Sequence, residues 1–105
     1  MSVTTTVSYP TDTTFDLEYY LAIHMPFVAE TWGPFGLKEW KVVQFNSENA
    51  PYKIAAILTW ESAESSATAL KAEGSKAIFD DIAKFSDRTP VLASGDDVGS
   101  WKAGQ

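Results

Sequence analysis

Pro26 stands inside a run, Phe15 to Trp32 (FDLEYYLAIHMPFVAETW), that otherwise has the spacing of an amphipathic helix. At that spacing Phe15, Tyr19, Ile23 and Phe27 fall near one line and Leu17, Tyr20, His24 and Val28 near a second, giving one broad apolar band. A proline here lacks the N–H that would reach the carbonyl of Ala22, and it pushes Met25 away from helical geometry. The helix is therefore predicted to kink or break near His24, the chain's one histidine. Two influences oppose each other at that imidazole. Exposed helix carbonyls favour the charged ring, and burial among aromatics favours the neutral one.

The surrounding chain limits what such a site can be. At 105 residues and 45% hydrophobic content, residues 1–105 read as a single domain with enough apolar surface for a core. No apolar run reaches the roughly 20 residues of a membrane span, so no membrane partner is expected. The segment MSVTTTVSYP has neither a basic start nor an apolar signal core, and a cytoplasmic location is expected. Without cysteine, and with one histidine, the chain offers no thiol nucleophile and no multi-histidine or thiolate metal site. A net charge of -6 with scattered lysines opposes binding to phosphate backbones, so no nucleic-acid partner is expected.

Val3, Thr5, Val7 and Tyr9 alternate with Thr4, Thr6 and Ser8, the pattern of a half-buried strand that Pro10 ends. Asp12 or Asp16 can cap the following helix, the latter with Phe15 as a staple toward Tyr20. Gly33, Pro34 and Gly36 make a turn. Leu37 to Phe45 is a second strand with large groups on both sides, Leu37, Val43 and Phe45 against Trp40, Val42 and Gln44. Tyr52 to Trp60 is nearly continuous in apolar character, as in a central strand. Ser62 caps a helix through about Ala72 that Gly74 ends. A short helix from Ser75 buries Ile78, Phe79, Ile82 and Phe85, and SDRTP breaks it. The last strand starts at Pro90, with Gly95 a candidate bulge and WKAGQ a fraying tail.

The order strand, helix, strand, strand, helix, strand is that of a ferredoxin-like α+β fold, βαββαβ, with an antiparallel sheet and helices on one face. Its other face would expose groups such as Trp40 and Ile57, and a homodimer through the sheet would cover them.

The run FDLEYYLAIHMP, with an aromatic pair before His-x-Pro, the segment WGPFGLKEWKVVQF, and FSDRTPV before a glycine-containing strand resemble the EthD family, in particular its short fungal-type members. The resemblance covers most of the chain. It implies a dimeric α+β barrel with a cavity in each subunit between the sheet and the first helix. Some fungal members decarboxylate aromatic polyketides of secondary metabolism. Other proteins of the superfamily are cyclases, isomerases or cofactor-free monooxygenases. His24 and Pro26 match the His-x-Pro motif, and Tyr19 and Tyr20 match the pair before it.

These residues set the expected chemistry. His24 is the candidate general acid or base, because a half-buried imidazole moves protons near neutrality without a cofactor. Tyr9 and Tyr20, from a strand end and a helix face, are candidate donors to a carbonyl or enolate oxygen. Tyr19, Phe27, Trp32, Trp40 and Gln44 are candidate substrate-binding residues, Phe27, Trp32 and Trp40 as flat apolar walls, Tyr19 as a phenol donor and Gln44 as an amide. Each also has an ordinary role in core or dimer packing. Glu61, Glu64, Asp80, Asp81, Asp96 and Asp97 read as solvated or capping. A cofactor-independent lyase on a small apolar or aromatic carbonyl or phenolic compound is the leading expectation, with a cofactor-free monooxygenase and a noncatalytic metabolite-binding or accessory protein as alternatives.

Overall fold

The computed structural model describes residues 2–104, so Gln105 of the expected tail lies outside them. Four strands, β1 (Val3–Pro10), β2 (Leu37–Gln44), β3 (Tyr52–Trp60) and β4 (Val91–Asp96), form one antiparallel sheet in the order β2-β3-β1-β4. The nearly continuously apolar β3 takes a central place beside β1, where both edges are paired. Between β1 and β2 run α1 (Leu17–Tyr19), a π-helical turn (Tyr20–His24), α2 (Met25–Trp32) and a short 3-10 turn (Gly33–Phe35). Between β3 and β4 run α3 (Ala63–Lys71), α4 (Ser75–Asp81) and a 3-10 turn (Ile82–Lys84). The fold is ferredoxin-like, α+β, with the helices on one face of the sheet.

Register decides which side chains meet the helices. Val3, Thr5, Val7 and Tyr9 stand opposite Trp60, Leu58, Ala56 and Ile54. All of these except the half-buried Val7 are buried, and with Tyr20, Met25, Val28, Trp32, Ile78 and Phe85 they make the core. Polar groups on this face are paired: the Trp60 indole donates to Thr5 Oγ1 at 3.0 Å, and Thr5 and Ser94 share a 2.8 Å hydrogen bond. Trp40 pairs in register with Leu58, which puts it on the helix face with Val42, half-buried against the core. The expectation that Trp40 lies with Ile57 on the open face is thus corrected. An irregularity between Leu37 and Glu39 shifts the register of β2 by one residue, so that Leu37 and Trp40, of opposite parity, come to the same face.

Local chemistry explains the helix ends. Asp16 Oδ1 accepts from the Tyr19 N–H at 3.1 Å, and Phe15 packs edge-on to Tyr20 with centroids 4.8 Å apart. Ser62 accepts from the Ser65 N–H at 3.1 Å to start α3. Gly36 has φ +110°, and a Cβ there would come within 2.6 Å of Ser65 Oγ, so both backbone and space require glycine.

Three further expectations are corrected. Met25 remains helical (φ -67°, ψ -38°), because the helix answers Pro26 with a π turn instead of a break. Ile23 is 53% exposed and Phe79 is 38% exposed, so neither belongs to a buried stripe. Gly95 continues the ladder opposite Thr4 without a bulge.

Candidate active site

The site is built where the π turn meets the end of α4. In the turn the Met25 N–H bonds to the carbonyl of Tyr20. This wider turn eases the clash a proline ring makes with the carbonyl four residues before it, here that of Ala22. Tyr20 and His24, four residues apart, stand on the same side of it. Their rings are nearly parallel, 13° apart, with centroids at 5.5 Å. Phe85, just past the 3-10 turn, packs 4.5 Å from the imidazole and 4.9 Å from Tyr20. His24 is 4% exposed.

Asp81, the last residue of α4, holds the ring. His24 Nδ1 lies 3.0 Å from Asp81 Oδ2, and the Tyr19 hydroxyl donates to Asp81 Oδ1 at 2.8 Å. Lys84 Nζ stands 3.6 Å from the same Oδ1 on the solvent side. Burial pushes the Asp81 carboxyl up, but the hydrogen bonds from His24 and Tyr19 and the charges of His24 and Lys84 outweigh it, and its pKa lies below the ordinary carboxylate value. An ionised carboxylate accepts only, so Nδ1 carries the hydrogen. Burial lowers the pKa of His24 below its ordinary value, against the opposing hydrogen bond and charge of Asp81. The ring is therefore neutral near pH 7, with the lone pair on Nε2.

Beside this pair, between sheet and helices, lies a small cavity of about 30 Å³, room for a water or two. His24, Tyr9, Tyr20 and Trp32 line it, with aliphatic groups such as Val28 and Leu58. Burial raises the pKa of both Tyr9 and Tyr20 above the ordinary phenol range, in Tyr9 with a further push from Tyr20. Both therefore stay protonated donors. The two rings stand edge to face at 5.9 Å.

The structure thus gathers His24, Tyr9, Tyr20 and Trp32 around one cavity and does not bring the remaining candidates there. Tyr19 acts behind the imidazole, on Asp81. Phe27 and Trp40 pack against the core away from the cavity, and Gln44 is exposed at the end of edge strand β2. The Trp32 indole donates to Ser75 Oγ at 2.7 Å, so its edge is engaged in the core.

Asp81 corrects the reading of the acidic residues as solvated or capping. Its side chain is 12% exposed, whereas the neighbouring Asp80 is 64% exposed and meets Lys76 at 2.8 Å. Between two adjacent aspartates the helical spacing of Ile78, Ile82 and Phe85 was the one signal, since it sets Asp81 on the flank of the buried stripe.

No protein-family model matches the sequence, and no curated protein matches it. Solved structures do. An EthD-like protein of Ralstonia eutropha has 26% identity and a TM-score of 0.80, over 99% of this chain and 97% of its own. An EthD (ethyl tert-butyl ether D) family protein of Bacillus halodurans has 22% identity and a TM-score of 0.75, over 93% of this chain and 100% of its own. SnoaB, a cofactor-independent oxygenase of Streptomyces nogalater, shares the fold at 12% identity and a TM-score of 0.64, over 99% of this chain and 98% of its own. With full-length likeness to EthD-type structures added to the aromatic pair and His-x-Pro of the first helix, the chain is EthD-like, on a ferredoxin-like fold.

Proposed function

We propose that the protein is a cofactor-independent lyase acting on a small apolar or aromatic carbonyl or phenolic compound, with His24 as its acid and base. The observation that carries this reading is the Asp81–His24 pair, which leaves Nε2 as the basic nitrogen of a residue lining an apolar cavity. Nε2 takes a proton from carbon next to the substrate carbonyl, and the electron pair moves to the carbonyl oxygen as an enolate. A phenol hydroxyl of Tyr9 or Tyr20 donates to that oxygen. In a dry site such a fixed donor stabilises developing charge strongly. Asp81 steadies the imidazolium. The imidazolium then returns the proton, to a leaving hydroxyl in dehydration or to the attacked carbonyl oxygen in cyclisation. In decarboxylation Nε2 instead takes the proton of the substrate's carboxyl group, the bond to CO₂ breaks and leaves its electron pair as the enolate, and the imidazolium protonates the carbon that has lost CO₂.

The test is His24→Ala on a substrate found by screening aromatic ketones and acids. Loss of turnover by about 10²- to 10⁴-fold, the usual weight of general acid–base catalysis, is expected. Turnover left intact would remove the proposal. Tight binding with the ligand recovered unchanged would favour a noncatalytic binding protein.

A second reading, a cofactor-free monooxygenase, is supported by SnoaB, an oxygenase with the same fold. Here Nε2 would deprotonate an electron-rich phenol, whose phenolate passes electrons to O₂. Oxygen uptake during turnover separates the two readings. We also propose that two copies pair through the open sheet face, where Ile57, Val43, Val91 and Ala93 have no cover from this chain's helices. Sedimentation at micromolar concentration tests that assembly.

A further inference from the structure

Tyr19 and Tyr20 are adjacent in the chain but serve opposite sides of the imidazole. Tyr20 stacks on the ring and lines the cavity, whereas Tyr19 stands behind it, where its hydroxyl donates to Asp81 Oδ1 at 2.8 Å. The other oxygen, Oδ2, is the one that lies 3.0 Å from His24 Nδ1. One carboxylate thus joins two residues of the same helical run, Tyr19 and His24, that are five positions apart.

That spacing does not suit an ordinary helix. At about 100° per residue, positions five apart in an α-helix point about 140° away from each other, too far round for one small group to meet both. The π turn over Tyr20–His24 lies between them. A turn that closes after five residues instead of four brings such positions toward one line, and Asp81 meets both there.

The phenol is fixed from two further directions. Asp16 caps the Tyr19 N–H at 3.1 Å, and the Tyr19 ring stacks on Phe85, 6.2 Å away at 25°. Phe85 also packs 4.5 Å from the imidazole, so phenol and imidazole are set against one ring as well as one carboxylate. The hydrogen bond to Asp81 raises the pKa of Tyr19 above its ordinary 10.0, and the hydroxyl keeps its proton at neutral pH.

Resting on the reading of His24 as the base, we infer that Tyr19 is a positioning residue of that reaction: by holding Oδ1 it aims Oδ2 at Nδ1 and takes up part of the carboxylate charge that would otherwise draw a proton onto the ring. The titratable groups around the imidazole and its carboxylate are Asp81 from α4, Lys84 from the turn after it, Tyr9 from β1, and Tyr19 and Tyr20 from the ring's own helical run. Tyr9 and Tyr20 stay neutral. Lys84 is 68% exposed and 3.6 Å from Oδ1, so water screens it, and the phenol is the ordered donor that offsets Asp81.

The experiment is a pH titration of the His24 ring nitrogens by long-range nitrogen–proton NMR on the full chain, which needs no substrate. The unsubstituted protein should show the Nδ1–H tautomer and a midpoint below 6.5. Tyr19→Phe keeps the stack on Phe85 and removes the hydroxyl. The midpoint should then rise by about 0.5–1 pH unit, because a hydrogen bond to a charged group has been withdrawn from the carboxylate. Lys84→Gln should raise it less, by roughly 0.1–0.3 unit. In an Asp81→Asn background, Tyr19→Phe should add no shift, since the phenol acts only through the carboxylate. An unmoved midpoint in Tyr19→Phe, an equal shift in Lys84→Gln, or a shift that survives Asp81→Asn would overturn the role of Tyr19 and leave His24 as the candidate base. On a substrate that the protein turns over, the acid limb of kcat/KM should move with the ring. A limb that stays while the ring moves would overturn the reading of His24 itself.

Discussion

His24 Nδ1 and Asp81 Oδ2, 57 residues apart in the chain, lie 3.0 Å apart in the fold. The relationship fixes the tautomer of the ring, and with it the nitrogen left for chemistry. Asp81→Asn should therefore hurt more than loss of one surface charge. An amide can donate to Nδ1 and leave the hydrogen on Nε2, the wrong tautomer for a base. We expect kcat to fall about 10²- to 10⁴-fold with a small change in Tm, and rescue by Asp81→Glu to be partial because the longer arm displaces the Tyr19 hydrogen bond. Steady-state kinetics beside a thermal melt check this.

The pH dependence follows from the directions of the shifts. His24 has a folded-state pKa below its ordinary 6.5, so kcat/KM should rise with pH through an acid limb below that value. Tyr9 and Tyr20 are raised above their ordinary 10.0, so no alkaline limb from these phenols is expected up to that pH. Stability has the same sense. Between the folded-state value of His24 and 6.5 the unfolded chain binds more protons, so stability falls as pH drops below about 6.5. The lowered carboxyl of Asp81 adds stability that is whole above 3.8 and lost as pH falls through its folded-state value. Denaturant midpoints from pH 3 to 8 should show that slope, and it should flatten below pH 6.5 in His24→Phe.

The phenols can be told apart from packing groups. Tyr20→Phe and Tyr9→Phe keep the edge-on stacks with Phe15 and Phe85 and remove one hydroxyl each. If either hydroxyl faces the developing oxyanion, its removal should lower kcat about 10²- to 10³-fold with KM little changed. Equal kcat in both variants would leave the oxyanion to other donors.

Much of this arrangement was legible in the sequence, and the missing parts have physical causes. Alternation in β1, the apolar run of β3 and the caps at Asp16 and Ser62 are local signals, read from neighbours in the chain, and all stand in the structure. The lone imidazole beside a proline marked the candidate site for the same reason. Trp40 was misplaced because one irregular residue in an edge strand reverses every face assignment beyond it. Asp81 was missed because its role depends on packing α4 against a helix 57 residues away.

Burial of paired polar groups also predicts a stability effect away from the chemistry. Ser75 is 2% exposed, accepts from the Trp32 indole at 2.7 Å, and donates to the Ala69 carbonyl. Ser75→Ala strands the indole N–H in the core, at a cost of about 1–3 kcal/mol. Trp32→Phe removes both the donor and its need, so the double variant should lose less than the sum of the two singles, and urea unfolding of the four proteins measures the difference.

Pro26 offers the sharpest test of how local backbone geometry makes the site. The π turn over Tyr20–His24 accommodates a ring that cannot donate to Ala22 and would crowd its carbonyl in an ordinary α-helix. Pro26→Ala restores the donor and removes the crowding, and alanine is the best helix former in its place. The segment is then free to close into regular α-helix, which rotates the residues before position 26 relative to α2 by about one residue, or roughly 100°. Tyr20 and His24, four residues apart, would keep a common side but turn together away from α4, and the imidazole would lose the 3.0 Å bond to Asp81. We expect Tm to stay level or rise while kcat/KM falls at least about tenfold, a stability–activity opposition typical of strain kept at a working site. Amide NMR of the Pro26→Ala protein distinguishes the outcomes directly: a hydrogen-bonded N–H at the substituted position, with Tyr20 and His24 ring signals displaced, fits this account. Unchanged ring signals with full activity would mean that packing by Phe85 and Asp81, and not the proline, holds the π turn.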